Sequence, residues 1–212
     1  MYFPDFLPHH NLPVLLNEEA YENPKQAIIQ FFESYHLVDA VTQLEDCLLC
    51  AFSHLRLRRK PLLRTMALKE MLLVLLEAAT LLKDEGKATI PADEPNPMDT
   101  RWYCYNKYKD YGEWDYFPHH LPKKEYYNPY LVFKQCTKKT TLPQWRSVLE
   151  GLIATAAYHN MTGEDGSIYY SDKEPNAYTQ CKRLIELVEA AHLVYIRERL
   201  FEDKTNQNKE AA

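Results

Sequence analysis

Glycine is scarce in this chain, with 5 residues among 212. Nucleotide-binding loops depend on glycines at fixed spacings, and the sequence contains no G-x-x-x-x-G-K-[ST], G-x-G-x-x-G or G-x-S-x-G motif. Leucine, alanine, glutamate and lysine are plentiful instead, and these residues favour helices over a β-sandwich. The composition therefore predicts an all-α protein without a glycine-dependent nucleotide site.

Long apolar runs are also missing. A membrane-spanning helix needs about 20 consecutive apolar residues, and the nearest candidate, 71–82, is interrupted by Glu77. The first ten residues, MYFPDFLPHH, lack the basic and then apolar order of a secretory signal. The net charge of -5 gives no general attraction to nucleic acid. We therefore expect a cytoplasmic protein that does not enter a membrane.

The five cysteines form no recognisable framework. Their number is odd and their spacing irregular, which favours reduced thiols. Cys47 and Cys50 make a C-x-x-C motif, but inside a predicted helix, whereas a redox pair occupies a helix N-terminus after a strand. We interpret the pair as core packing and expect no cofactor.

The chain contains an internal similarity. A shift of 105 residues places 19–54 on 124–159 without a gap, and 9 of these 36 positions are identical. A shift of 112 places LLEAATLL at 75–82 on LVEAAHLV at 187–194. Near the front of each unit, DFLPHH at 5–10 resembles DYFPHH at 115–120. Similar stretches in the same order predict a duplicated unit.

Each unit is predicted to be a proline-rich strap followed by three helices. The first helix of each begins at Asn23-Pro24 or Asn128-Pro129, because asparagine suits the N-cap and proline the first helical position. The second helices are predicted over 37–58 and 142–160, and the third over 61–85 and 175–202.

The third helices are apolar on most sides, so we expect both to lie at the centre of the fold and to pack against each other. The predicted fold is an all-α six-helix bundle of two tandem three-helix repeats with internal pseudo-two-fold symmetry. The predicted organisation is repeat 1 at 1–86, an aromatic linker at 87–111, repeat 2 at 112–204 and a disordered tail at 205–212.

Carboxylates interrupt the apolar helices at equivalent positions. Glu77 matches Glu189 on the third helices, and Glu45 matches Glu150 on the second. A buried carboxylate is costly unless it is paired, and the predicted helix levels bring Glu45 within reach of Glu77. One interpretation is hydrogen bonding to Tyr, His or Arg.

The other interpretation is a metal–carboxylate site. Glu189 and His192 form an E-x-x-H motif, as in di-iron and di-manganese bundles, although Thr80 stands where a second histidine would be needed. The metal site is the less favoured alternative, with the ligand set Glu45, Glu77, Glu150, Glu189 and His192.

Two connections carry opposite charge. The turn after the second helix of the first unit is basic, with Arg56, Arg58, Arg59, Lys60 and Arg64. The equivalent turn of the second unit is acidic, with Glu164, Asp165, Asp172 and Glu174. We expect one basic and one acidic pole, which could order head-to-tail self-association or hold an anionic partner. Alternatively, both are solvated loops.

The connector at 101–117 is aromatic, and its candidate binding residues are Trp102, Tyr103, Tyr105, Tyr108 and Trp114. These rings could fill the seam between the units, form hot spots for a protein partner, or stack on single-stranded bases beside Lys107 and Lys109. Acidic residues at 110, 113 and 115 weaken the last interpretation.

These features predict a non-enzymatic helical recognition module that presents the aromatic connector and the basic turn to a protein partner. A nucleic-acid-binding accessory protein using the same residues is the alternative. A metal–carboxylate enzyme is the third hypothesis.

Overall fold

A computed structural model describes the backbone of residues 15–52, 60–85, 113–162 and 177–210. The described part contains eight α-helices and no strand, which confirms the all-α prediction. None of its helices is long and apolar enough to cross a membrane. A short 3-10 helix at Glu113–Tyr116 precedes α5; the eight helices are α1 Glu18–Glu22, α2 Pro24–Ser34, α3 Leu37–Phe52, α4 Lys60–Leu82, α5 Lys123–Tyr127, α6 Tyr130–Lys139, α7 Leu142–Thr162 and α8 Ala177–Glu210.

The short helices α1 and α5 were not predicted. The Asn17 side chain caps α1 by accepting the Ala20 N–H at 2.8 Å. The helix then stops at Asn23, whose backbone is pushed out of the helical region by the following Pro24. The same break occurs at Asn128 before Pro129.

The predicted helix start is confirmed in the first unit, where Asn23 is the N-cap and Pro24 the first helical residue, and is wrong in the second. Asn23 precedes α2, but its side chain makes no capping hydrogen bond. In the second unit Pro129 itself is the N-cap and α6 begins one residue later, at Tyr130. The Asn-Pro pairs therefore end one helix and start another, because proline has no N–H to continue the preceding ladder.

Helix α8 runs further than the sequence suggested. It continues to Glu210, through the region expected to be a disordered tail from 205 onward. No glycine or proline occurs between 177 and 212, so the chain contains no residue that would stop the helix. The second helix of the first unit is described only to Phe52, and the rest of its predicted span lies outside the described residues.

The core is built around α4 and α8. Nearly every side chain from 72 to 82 and from 184 to 196 is buried, as their apolar circumference predicts. Both helices pack against α2, α3, α6 and α7, but they make little contact with each other. The expectation that α4 and α8 pack against each other is therefore wrong, because the four surrounding helices supply their apolar contacts.

The described cysteines are packing residues. Cys47, Cys50, Cys136 and Cys181 are all buried and none is in a disulfide. Burial raises the pKa of the Cys136 thiol to about 12. The C-x-x-C pair lies in the core face of α3, as the packing interpretation predicts.

Candidate recognition surface

Most of the predicted partner-binding residues lie outside the described residues. This applies to Trp102, Tyr103, Tyr105, Tyr108, Arg56, Arg58 and Arg59. Lys60 and Arg64 belong to α4 and Trp114 to the 3-10 helix, but only their backbone is described. The candidate site consists of described residues on α3, α8 and the strap before α5.

Two buried glutamates hold the chain segments that precede α1 and α5. Glu189 accepts the backbone N–H groups of His119 at 3.0 Å and His120 at 2.9 Å. Glu77 accepts those of Leu15 at 2.7 Å and Leu16 at 3.0 Å. We call these two residue pairs the anchor segments. Hydrogen bonds from backbone amides to a buried carboxylate are charge-assisted and strong, so each glutamate fixes one strap to the core.

The two anchor segments consist of different residues. His119 and His120 lie four and three residues before Lys123, the first residue of α5, and Leu15 and Leu16 lie three and two residues before Glu18, the first residue of α1. His9 and His10, which the sequence pairs with them, lie further upstream, outside the described residues. A carboxylate that recognises backbone amides does not require a particular side chain, so the two anchor segments can differ in sequence.

The His120 ring adds a link that the first anchor segment lacks. Its Nδ1 lies 2.8 Å from Glu189 Oε1 and its Nε2 lies 3.5 Å from Glu45 Oε1. Burial raises the pKa of the Glu189 carboxyl, and the hydrogen bonds from His120 partly oppose that effect. The ring therefore joins α8, the strap and α3.

Glu45 does not have the partner that the sequence suggested. The predicted neighbour was Glu77 on α4, whereas the observed partner is the imidazole held by Glu189. The reason is the packing of the helices, since α3 lies along α8.

The remaining members of the proposed metal set lie apart. Glu150 is half-exposed, 3.9 Å from the Lys69 ammonium. His192 is buried, packs on the rings of Phe32 and Tyr195, and has its pKa lowered to about 3, chiefly by burial. In the described ranges no three His, Cys, Asp or Glu side chains are grouped to hold a metal ion.

A groove of about 390 Å³ lies between α3 and α8. We call it the α3–α8 groove. Its polar lining consists of Glu45, His120 and Lys182, and its apolar lining consists of Leu48, Leu49, Phe52, Tyr178 and Ile185.

Apolar exposure is concentrated at this groove. Leu49 is 49%, Phe52 40% and Tyr178 56% exposed, and the only other large apolar side chain so exposed in the described part is Met66. The Phe52 and Tyr178 rings meet edge to face with their centroids 5.5 Å apart. Three of these four side chains thus converge on one site.

The two charged turns adjoin residues of the groove in the sequence. The basic turn follows Phe52, the last described residue of α3, and the acidic turn precedes Tyr178, in the first turn of α8. The expectation of opposite poles stays a prediction, because the charged side chains of both turns lie outside the described residues. The antiparallel course of α3 and α8 brings the end of one helix to the start of the other.

Sequence reasoning missed the groove. Leu44, Cys47, Leu48 and Ala51 form the buried stripe of α3, and Leu49 and Phe52 lie off that stripe. Apolar residues outside the core face of an amphipathic helix are the signal that could have identified it.

Comparison with protein-family models, with curated proteins and with solved structures finds no match. The functional conclusion therefore depends on the geometry of the chain itself.

Proposed function

We propose that the protein is a non-enzymatic helical recognition module that binds a protein partner at the α3–α8 groove, assisted by the basic turn and the aromatic connector. The observation that carries the proposal is the convergence of Leu49, Phe52 and Tyr178 on one groove. Apolar side chains scattered singly over a surface need no explanation, whereas a cluster that includes two rings is typical of an interaction site.

The polar groups of the groove suit binding better than catalysis. His120 is engaged on both ring nitrogens, by Glu189 and by Glu45. Through these two contacts His120 holds the strap, which forms one wall of the α3–α8 groove. Lys182 and Glu45 lie on the lining and would orient a partner whose apolar side chains enter the groove.

The basic turn supports a macromolecular partner. It begins directly after Phe52 and carries four arginines and one lysine between residues 56 and 64. Charges around an apolar centre raise the rate of association and select the orientation of a partner. The aromatic connector supplies residues of the type enriched at binding hot spots.

The proposal includes the architecture, two tandem three-helix repeats, each preceded by one of the short helices α1 and α5, related by a pseudo-two-fold rotation. The order of a short, a medium and two long helices occurs twice, and α1 shifted by 105 residues falls on α5. Exchange of α1–α4 with α5–α8 maps the main helix contacts onto one another. Glu77 and Glu189, 112 residues apart, have the same role, each holding a strap.

Photo-cross-linking tests the function. Tyr178 is replaced by benzoylphenylalanine, which reacts with whatever contacts the groove, and the protein is irradiated in extract of its host. A matched variant carries the same group at Glu22, an exposed residue of α1. That position is remote, because the neighbouring Lys25 bonds Glu198, about 30 Å along α8 from Tyr178.

We expect a protein adduct from position 178 and none from position 22. The adduct should weaken when Arg58 and Arg59 are replaced by serine or Trp102 and Trp114 by alanine. An adduct to RNA or DNA from position 178 would favour the nucleic-acid alternative. Native mass spectrometry showing stoichiometric iron, manganese or zinc would favour the metal hypothesis. No adduct from position 178 would refute the proposed function.

A further inference from the structure

Two pairs of neighbouring helices carry opposite charges at exposed positions. The exposed acids of α1 and α2 include Glu18, Glu19 and Glu33, and the exposed bases of α5 and α6 include Lys123, Lys124 and Lys138. We call these two sets of three the acidic surface and the basic surface. None of these six described residues lines the α3–α8 groove, so the two surfaces are a second region to which binding can be assigned.

The two surfaces occupy matching positions in the chain. The shift of 105 residues that places α1 on α5 also places each of the three glutamates on one of the three lysines. The helices that follow, α2 and α6, have similar lengths of 11 and 10 residues. The charges of the two surfaces therefore have similar spacing and opposite sign. An exposed helix position accepts either charge, so the fold itself does not require this inversion.

The charges of both surfaces lack partners within the chain. Glu18 and Glu19 make no ion pair with another described residue, and neither do Lys124 and Lys138. Like charges therefore lie close together on each surface, and nothing in the described ranges relieves their repulsion. A surface of opposite sign and similar spacing would relieve it.

A second copy of this chain supplies that surface. Two acidic surfaces would repel each other, whereas the acidic surface of one copy is complementary to the basic surface of another. A polyanion would neutralise the lysines and leave the glutamates unpaired. A polycation would do the reverse. A second copy provides a partner for both surfaces.

We propose that copies of this chain associate head to tail, with the acidic surface of one copy against the basic surface of the next. The contact joins unlike surfaces, so it is heterologous, and each bound copy keeps one surface for a further copy. Ion pairs exposed to solvent each contribute little, so the association is weak and requires a high protein concentration. The inference goes beyond the proposed function, because the α3–α8 groove takes no part in the contact.

Sedimentation velocity on the purified full chain tests the association. The protomer mass is 25.0 kDa, and we expect larger species whose fraction rises with protein concentration. That fraction should fall between about 0.01 M and about 0.1 M salt, because the screening length shortens from about 30 Å to about 10 Å.

Two charge-reversed variants make the test specific. The first carries Glu18→Lys, Glu19→Lys and Glu33→Lys, and the second carries Lys123→Glu, Lys124→Glu and Lys138→Glu. Each has two surfaces of one sign, so each alone should sediment as the protomer. An equimolar mixture should associate again, because every surface then meets one of opposite sign.

A pair of single substitutions provides a matched control. Lys124→Glu should raise the dissociation constant about two- to fivefold, as expected for one exposed ion pair. Arg146→Glu makes the same charge change at an exposed position of α7 whose counterpart, 105 residues earlier, is the uncharged Val41. It should leave the dissociation constant unchanged.

Three results would overturn the proposal. They are a wild type that stays monomeric at low salt, an association that survives either set of reversals, and a mixture that stays monomeric although both variants keep the circular dichroism of the wild type. None of them bears on the adduct from position 178, so the proposed function is tested separately. The weak contact dissociates in a dilute extract, so position 22 remains a control there.

Discussion

The two anchor segments do the same task with different chemistry. Before α1, Glu77 holds Leu15 and Leu16 through their backbone amides alone. Before α5, Glu189 holds His119 and His120 through the same two amides and also bonds the His120 ring, which continues to Glu45. The amide contacts suffice to attach a strap, and the imidazole is an addition that connects the second strap to the groove.

The difference shows where sequence can diverge without loss of the fold. Backbone amides are supplied by every residue except proline, so the residues of an anchor segment vary freely while the glutamate remains. A side chain that joins the link can then acquire a second role. His120, for example, also lines the α3–α8 groove.

The largest expected effect comes from removing either carboxylate charge. In Glu189→Gln, an amide N–H₂ competes with the two backbone N–H donors and the His120 ring loses its anionic partner. We expect the free energy of unfolding to fall by about 3 kcal/mol or more, and by less for Glu77→Gln, which disturbs two donors rather than three. Urea denaturation measures both, with the half-exposed Glu150→Gln as control. Equal losses would mean that the His120 ring contributes nothing.

His192 distinguishes the two units by its response to acid. The folded state keeps it neutral with a pKa of about 3, against an ordinary value of 6.5. The unfolded chain therefore binds the proton first as the pH falls, and stability is lost progressively from about pH 6.5 towards pH 3.

Between pH 7 and pH 5 that loss is about 2 kcal/mol. Burial raises the pKa of Glu189 and acts in the opposite direction, so the difference between wild type and His192→Phe isolates the histidine. The variant keeps an aromatic ring beside Phe32 and Tyr195 and should lose this part of the pH dependence in urea denaturation. The exposed His119→Gln should retain it, and an unchanged slope in His192→Phe would contradict the assignment.

His120→Leu makes the second anchor segment resemble the first. The backbone bonds to Glu189 remain and only the ring contacts are lost, so we expect a cost of roughly 1–2 kcal/mol. Amide hydrogen exchange at residues 119 and 120 should remain slow. Rapid exchange at both amides would show that the ring, rather than the carboxylate, attaches the strap.

The smallest effect is expected at Glu45. Its side chain is 46% exposed and 3.5 Å from the imidazole, so Glu45→Gln should cost less than about 0.5 kcal/mol, like the exposed Glu150→Gln. A double-mutant cycle with His120→Leu measures the interaction. A larger coupling would mean that the outer contact is essential to the link.

The sequence predicted the longer helices but not α1, α5 or the contacts between helices. The predicted spans match the start of α3 and both ends of α7 within a few residues, because one buried face repeats along each helix. The sequence also identified Glu77 and Glu189 as carboxylates that need partners. A histidine partner was among the interpretations, and His120 is one for Glu189. The backbone amides that bond both glutamates could not be identified, since every residue except proline has one.

The groove escaped sequence reasoning for a different reason. Phe52 and Tyr178 are 126 positions apart, and only the antiparallel packing of α3 on α8 brings their rings together. The alignment of the two Pro-His-His stretches stays a prediction, because His9 and His10 lie outside the described residues.

Four of the five cysteines are buried, so their reaction with a thiol reagent reports how often the native bundle opens. A thiol-specific dye attacks only the thiolate, and Cys136 is both enclosed and held protonated. Cys136 can therefore react only after α6 and α8 have separated. The rate at which the dye labels Cys136 in the absence of denaturant measures the rate at which this part of the bundle opens.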